Sequence, residues 1–132
     1  DGHGIRLLQA EGITPVVITG RDAKALRVRL KALGIAHAFF GVDDKHAAAR
    51  SSLRKLKLDW QQAAVIGDDW PDLALVQRCR FSAAPSNAHP EVLASVDHVT
   101  QRSGGQGAAR EFCDLLLMAC GAYARLLAKA RA

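Results

Sequence analysis

Three aspartates in the middle of the chain have the residue type and spacing to do chemistry. Asp68, Asp69 and Asp72 come just after the apolar run Ala63–Ile66, with Gly67 between. A short apolar run that ends at a glycine is typical of a buried parallel strand entering a loop. Ligands of open α/β sheets bind at that end of the strands, where clustered carboxylates repel one another unless a hard cation is bound. The stretch therefore predicts a Mg²⁺ site.

Two further polar positions are candidates for holding a phosphate. Thr19 follows the apolar Val16–Ile18, and its hydroxyl and nearby backbone N–H groups could hold one phosphate oxygen. Gly20 and Arg21 come next, and Arg21 could hold another anionic group of the substrate. Lys45 begins a predicted helix, where the helix dipole disfavours positive charge, which indicates an anionic partner.

Each candidate also has a purely structural interpretation. The aspartates could form an acidic turn that caps the next helix, and Thr19 could be the N-cap of the helix after it. Lys45 could be a solvated surface lysine. The order of the features along the chain, a strand with threonine, a helix with lysine and a strand with three aspartates, favours one shared site.

These residues must be positioned by alternating strands and helices. Strands are predicted at Pro15–Ile18, Ala36–Phe40, Ala63–Ile66, Arg80–Ala83 and Asp97–Thr100. Helices are predicted at Gly4–Ala10, Ala23–Leu33, Lys45–Leu56, Pro71–Gln77, Pro90–Ala94 and from Ala108 to about Lys129, the last after a flexible loop at Gly104–Gly107. This alternation predicts an α/β fold with a parallel sheet covered by helices on both faces.

Composition limits the function classes. The 132 residues, 49% hydrophobic and 23% charged, predict one soluble domain. The net charge of +5 is spread along the chain with few aromatic residues, which favours an anionic small molecule over nucleic acid. Three cysteines without a CxxC motif predict reduced thiols in the cytoplasm. No signal peptide and no uncharged run of 18 residues is present, so neither export nor a membrane partner is expected.

The same motifs resemble those of a known family. VVITGR (Val16–Arg21), Lys45 and GDDWPD (Gly67–Asp72) are similar to the second, third and fourth motifs of the haloacid dehalogenase superfamily of phosphohydrolases. More narrowly, the chain resembles the small capless subfamily of 3-deoxy-D-manno-octulosonate (KDO) 8-phosphate phosphatases. That similarity rests on DGHGIRLL at the start, LGI (Leu33–Ile35), AHPEV (Ala88–Val92) and GGQGAAREFCDLLL (Gly104–Leu117).

The resemblance implies a fold, an activity and a set of roles. It implies a Rossmann-like sheet and Mg²⁺-dependent hydrolysis of a sugar-acid phosphate, KDO 8-phosphate in lipopolysaccharide biosynthesis, by a homotetramer. The implied roles are metal binding for Asp68, support of the metal or the lysine for Asp69 and Asp72, phosphate binding and catalysis for Thr19 and Lys45, and lining of the substrate end for Gly20 and Arg21.

One departure from the family pattern concerns the nucleophile. The superfamily attacks phosphorus with an aspartate of a DxD segment on the central first strand, and this chain has no strand-borne DxD. We therefore expect residues 1–132 to form a single phosphatase domain that is incomplete at its amino end. The missing strand is expected between those ending at Ile18 and Ile66, and the isolated chain is expected to be inactive.

Two other functions stay open. The chain could be a non-catalytic α/β binding or assembly subunit that keeps a phosphate and Mg²⁺ pocket. A nucleotide-binding Rossmann module is disfavoured, because no GxGxxG motif follows the first strand.

Overall fold

The computed structural model describes residues 2–132 and shows strands alternating with helices. The strands of this part are β1 (Val16–Ile18), β2 (His37–Phe39), β3 (Ala64–Ile66), β4 (Phe81–Ala84) and β5 (His98–Val99). The helices are α1 (Gly2–Ala10), α2 (Lys24–Ala32), α3 (Lys45–Leu56), α4 (Leu73–Arg78), α5 (Pro90–Leu93), α6 (Ala108–Ala119) and α7 (Tyr123–Arg131), with single 3₁₀ turns at Trp60–Gln62 and Trp70–Asp72.

Every strand pairing is parallel, but the strands form two separate sheets. β1 pairs with β2, with Val17 opposite Ala38. The second sheet has the order β3-β4-β5, with Val65 opposite Ser82. Within residues 2–132 no ladder joins β1 to β3. The predicted α/β class with parallel strands is confirmed, and the break falls where the family pattern places its central first strand.

Two apolar clusters hold the elements together. One joins α1 to α6 and the start of α7 through the buried residues Leu8, Cys113, Leu117 and Ala122. The other packs β4 against α5 through Ala84, Ala88 and Val92. Because β4 has a partner on both sides, its inner residues are fully buried, whereas those of β1 are only partly buried.

Helix α3 has the predicted bounds, and both its ends are capped. The Asp44 carboxylate accepts the Ala47 N–H at 3.0 Å and caps the first turn. Lys57 then adopts a left-handed conformation with φ of 57° and ends the helix. Because the Asp44 cap fixes the first turn of α3, it also fixes the point from which the Lys45 side chain extends.

The prediction of one long helix from Ala108 to about Lys129 was wrong. The chain turns between α6 and α7 at Gly121, whose φ is +80°. The Ala122 N–H donates to Leu117 O at 2.9 Å and the Gly121 N–H to Met118 O at 3.1 Å, which closes the helix end. The predicted helix Pro71–Gln77 is a 3₁₀ turn followed by α4, and the other predicted ends are off by one or two residues.

None of the helices in residues 2–132 has the length and apolar character that crossing a bilayer requires.

Candidate active site

A cavity of about 280 Å³ lies where the carboxyl ends of β1 and β3 face each other. Ile18 at the end of β1 and Ile66 at the end of β3 supply one wall each. Small residues supply most of the remainder, and the polar side chains come from α3 and from the loop after β3. The other lining residues are Lys45, Gly67, Asp68, Asp72, Pro85, Gly104, Gly105, Ala108 and Ala109.

Lys45 enters the cavity paired with Asp72. The Lys45 Nζ lies 2.8 Å from Asp72 Oδ1, and the two side chains are only 16% and 9% exposed. The other oxygen, Asp72 Oδ2, accepts the backbone N–H groups of Asp68 at 2.9 Å and Asp69 at 3.3 Å. This pair explains why a lysine stands at the unfavourable end of a helix, because the carboxylate offsets the dipole. It also ties α3 to the loop after β3.

Gly67 allows this loop to close on Asp72. A Cβ atom at position 67 would lie 2.5 Å from the Asp72 Cβ and 2.7 Å from its Cγ. Any side chain there would push Asp72 away from Lys45. The glycine that ends the β3 segment is thus required by close approach rather than by a special backbone conformation.

Asp68 differs from Asp72 in having a free carboxylate. Its side chain is exposed, lines the cavity, and makes no hydrogen bond or ion pair within residues 2–132. Its backbone is held at both sides, since its N–H donates to Asp72 Oδ2 and its carbonyl accepts the His89 N–H at 2.9 Å. A fixed backbone with an uncommitted carboxylate is suited to binding a cation.

The Asp69 carboxylate caps the 3₁₀ turn in the loop after β3. Its Oδ1 accepts the Trp70 N–H at 2.8 Å, and the ion pair of Lys45 is with Asp72 instead. Of the three clustered aspartates, Asp72 thus pairs with Lys45 and Asp69 caps the turn. Asp68 is left with an uncommitted carboxylate in the cavity lining.

Thr19, Gly20 and Arg21 do not line the cavity, although they directly follow Ile18, which does. The Thr19 hydroxyl accepts the Arg21 N–H at 3.1 Å, and the Thr19 N–H donates to Phe39 O at 3.0 Å. Thr19 is not the cap of α2, because the N-cap of that helix is Ala23. Its role as a phosphate ligand stays a prediction.

The described residues supply only part of a magnesium site. Residues 2–132 contain no group of three His, Cys, Asp or Glu side chains that could hold a metal. Mg²⁺ is usually held by one or two carboxylates together with waters and phosphate oxygens. Asp68 fits one of those positions, whereas Asp72 is committed to Lys45. The other donors would have to come from water, the substrate or another segment.

A glycine-containing loop supplies Gly104 and Gly105 to the cavity lining. The Gly104 N–H donates to Asn87 Oδ1 at 2.7 Å, and Glu111 on α6 accepts the N–H groups of Gln101 and Arg102 at 3.1 and 3.2 Å. Burial would raise the pKa of the Glu111 carboxyl, but these hydrogen bonds and the nearby His98 outweigh it, so the pKa is lowered.

The sequence analysis assigned no role to Asn87, His89, Trp70 or Glu111. Glu111 and His89 lie within segments that resemble the subfamily, which was the available signal. Trp70 lies within the GDDWPD motif, whereas Asn87 had no signal, and the contacts of both residues join loops that are 17 and 19 residues apart in the chain.

Comparison with known proteins identifies the family. Residues 41–112, more than half of the chain, match the haloacid dehalogenase-like hydrolases. The 3-deoxy-D-manno-octulosonate 8-phosphate phosphatase KdsC of Yersinia pestis is 43% identical over 119 residues, 90% of this chain and 64% of that protein. The KdsC of Escherichia coli K12 is 40% identical over 121 residues, again 64% of its length. The chain thus spans a little less than two thirds of these curated relatives.

A solved structure extends the comparison. The crystal structure of 3-deoxy-D-manno-octulosonate 8-phosphate phosphatase from Moraxella catarrhalis, in complex with a magnesium ion, a phosphate ion and a KDO molecule, superposes with a TM-score of 0.93 at 37% identity. The alignment covers 97% of this chain and 74% of that one. The chain belongs to the haloacid dehalogenase-like hydrolase family.

Proposed function

We propose that this chain is the greater part of a Mg²⁺-dependent phosphatase that converts KDO 8-phosphate to KDO in lipopolysaccharide biosynthesis. The observation that carries the proposal is the cavity between β1 and β3, which holds a half-buried ammonium, Lys45, beside an uncommitted carboxylate, Asp68. The magnesium, phosphate and KDO bound by the Moraxella catarrhalis relative support this choice of ligands.

The chemistry of phosphoryl transfer explains the proposed roles. Negative charge spreads over three phosphoryl oxygens in the transition state, so fixed positive charge accelerates the reaction. Lys45 would neutralise part of that charge, and Asp72 would hold its ammonium in place. Asp68 would bind Mg²⁺, which supplies further charge neutralisation when bound. Thr19 would hold a phosphate oxygen, with Gly20 and Arg21 at the substrate end.

The nucleophile is proposed to enter on a further strand. Aspartyl-phosphate catalysis needs a carboxylate aimed at phosphorus, and the two carboxylates that line the cavity, Asp68 and Asp72, have other roles. The edges of β1 and β3 that face the break have no strand partner within residues 2–132. A parallel strand with a DxD segment would satisfy their backbone groups and bring an aspartate to the cavity.

One observation favours a second function. Since Asp72 is paired with Lys45 and Asp68 is assigned here to Mg²⁺, no lining carboxylate is left to attack phosphorus, and the chain could bind a phosphorylated sugar without hydrolysing it. In that case it would be a non-catalytic binding or assembly subunit.

Hydrolysis assays would separate these functions. The pure 132-residue protein is incubated with KDO 8-phosphate and Mg²⁺, with and without a peptide that carries the family's DxD strand. We expect phosphate release only with the peptide, and none when the first aspartate of the peptide is asparagine. Turnover by the chain alone would show that the nucleophile is internal. Tight phosphate binding without turnover in either mixture would favour the binding subunit.

We further propose a homotetramer in the cytoplasm. The proposal rests on the subfamily resemblance and on three free cysteines, Cys79, Cys113 and Cys120, which suit a reducing compartment. Light scattering of the chain with the strand peptide would give the mass of the assembly.

A further inference from the structure

Trp70 is an exposed aromatic residue in the loop after β3, which also carries Asp68 and Asp72. Its side chain is 62% exposed, the highest value among the large apolar residues of the described part of the chain. It lies two residues after Asp68 and begins the 3₁₀ turn Trp70–Asp72. An indole left in water forgoes the stabilisation that burial would give it. Its position therefore needs a reason other than the core.

The indole is nevertheless held in one place. Its Nε1–H donates to His89 Nδ1 at 3.2 Å, and the two rings meet edge to face with centroids 5.5 Å apart. The same Nδ1 accepts the Glu91 N–H at 3.1 Å, so this ring nitrogen is the acceptor for both groups. His89 also donates its backbone N–H to the Asp68 carbonyl. Trp70 is thus linked through His89 to the backbone of Asp68.

We infer that Trp70 is a specificity-determining residue that contacts the organic part of the phosphomonoester. The inference rests on the proposed function, because it assumes that the phosphoryl group is held near Lys45 and Asp68. Trp70 is outside the cavity lining, but apart from Lys45, the two aspartates and two isoleucines that lining is glycine, alanine and proline, which offers few side chains to recognise a sugar chain that extends from the cavity. An indole held two residues from Asp68 and linked to its backbone through His89 can pack against the C–H groups of a polyhydroxylated chain while the hydroxyls of that chain stay in water.

A positioning role follows for His89. The His89 ring orients the Trp70 indole, and the His89 backbone N–H orients the Asp68 carbonyl. The His89→Asn variant keeps an acceptor near the Nδ1 position, whereas His89→Ala removes it. Recovery by asparagine would show that the acceptor, not the bulk of the ring, places Trp70.

The first test uses the two indole N–H signals that Trp60 and Trp70 give in the ¹H–¹⁵N NMR spectrum of the 132-residue protein. The Trp70→Phe variant identifies the Trp70 signal. With Mg²⁺ present, we expect KDO 8-phosphate to shift this signal in a saturable manner and inorganic phosphate to shift it far less. No shift, or equal shifts with both ligands, would overturn the inference.

The second test compares affinities by calorimetry. We expect Trp70→Ala to weaken binding of KDO 8-phosphate about tenfold, as for the loss of one well-packed contact, and to change phosphate binding less than about twofold. His89→Ala should weaken the sugar ester similarly, and His89→Asn should restore most of the affinity. The control is Val28→Ala, which removes an apolar side chain of similar exposure, 61%, from α2, a helix that contributes no residue to the cavity lining.

The outcomes separate the two proposals. If Trp70→Ala weakens the binding of both ligands equally, or of neither, the proposed contact between Trp70 and the sugar is wrong, while the phosphatase assignment stands. If wild-type protein binds neither ligand, with or without the strand peptide, both proposals fail.

Discussion

At the residue scale, two aspartates four positions apart make very different contacts. Asp72 receives the Lys45 ammonium on one oxygen and two backbone N–H groups on the other, while the Asp68 carboxylate stays uncommitted. Removing one member of a buried ion pair leaves the other charge without compensation, which is expensive in a site with little water.

We therefore expect Asp72→Ala to lower the free energy of unfolding by about 3 to 5 kcal/mol. Asp68→Ala should change it by less than about 0.5 kcal/mol, because the side chain is exposed and unpaired. Urea unfolding monitored by circular dichroism measures both. Equal losses would mean that the Lys45–Asp72 pair contributes no more than a surface carboxylate.

Glu111 gives a pH dependence of known sign. Its pKa in the folded protein lies below the ordinary 4.5, so the folded state binds this proton less tightly than the unfolded chain. Its contribution to stability is present above pH 4.5 and is lost as the pH falls through the lowered pKa. Glu111→Gln should therefore reduce the loss of unfolding free energy between pH 6 and pH 3.

The matched control for Glu111 is Glu91→Gln, at an exposed glutamate whose carboxylate makes no hydrogen bond in the described structure. Thermal melts at several pH values supply the curves. If both variants follow the wild-type curve, the bonds from Glu111 to the 101–102 backbone are not coupled to folding.

Sequence patterns singled out Lys45 and the three aspartates because charges placed against a helix dipole or against each other need partners, and Lys45, Asp68 and Asp72 do line one cavity. They could not reveal which aspartate would pair with Lys45, since that depends on the turn after Gly67. The Trp70–His89 contact could not be predicted from the sequence either, because it depends on how two loops are placed relative to each other.

At the element scale, the turn after β3 depends on a glycine. Gly67→Ala would place a methyl group against Asp72, so we expect it to destabilise the protein by about 1 to 3 kcal/mol, as overpacking does. Chemical denaturation measures this change. Gly20→Ala is the control, because a Cβ at the end of β1 would meet its nearest neighbour, Val42 O, at an ordinary 3.7 Å.

An equal effect of the two alanine variants would contradict this account, since it would make the penalty a general cost of removing glycine. We expect Gly67→Ala also to alter the environment of the Lys45 ammonium, which ¹⁵N NMR can follow. Gly20→Ala should leave that signal unchanged.

Elements with local end signals were predicted well. Asp44 caps α3, and its bounds agree residue for residue with the prediction. The break between α6 and α7 was missed because the apolar stripe continues from Leu117 to Tyr123, although Gly121 offered a stop signal. Short strands were found from their apolar runs, but their ends depend on which backbone groups have partners.

At the scale of the whole molecule, β1 and β3 lie at sheet edges while β4 is internal. We expect amide hydrogens of Ser82–Ala84 to exchange with solvent more slowly than those of β1 and β3, because edge amides open with less disruption. Mass spectrometry or NMR in D₂O measures this order.

The DxD strand peptide should slow exchange in β1 and β3, and should leave β4 nearly unchanged. A peptide with the same composition in scrambled order is the control. Slower exchange in all strands alike would indicate general stabilisation rather than pairing in the break.

The cavity has one further consequence, because its walls belong to different sheets. A molecule bound there would contact both sheets, so its binding free energy would add to the free energy of unfolding. At a concentration one hundred times its dissociation constant, a ligand adds about 2.7 kcal/mol. The melting temperature of the protein, measured in the presence of different phosphorylated sugars, would thus reveal which of them the cavity binds, even if the protein hydrolyses none of them.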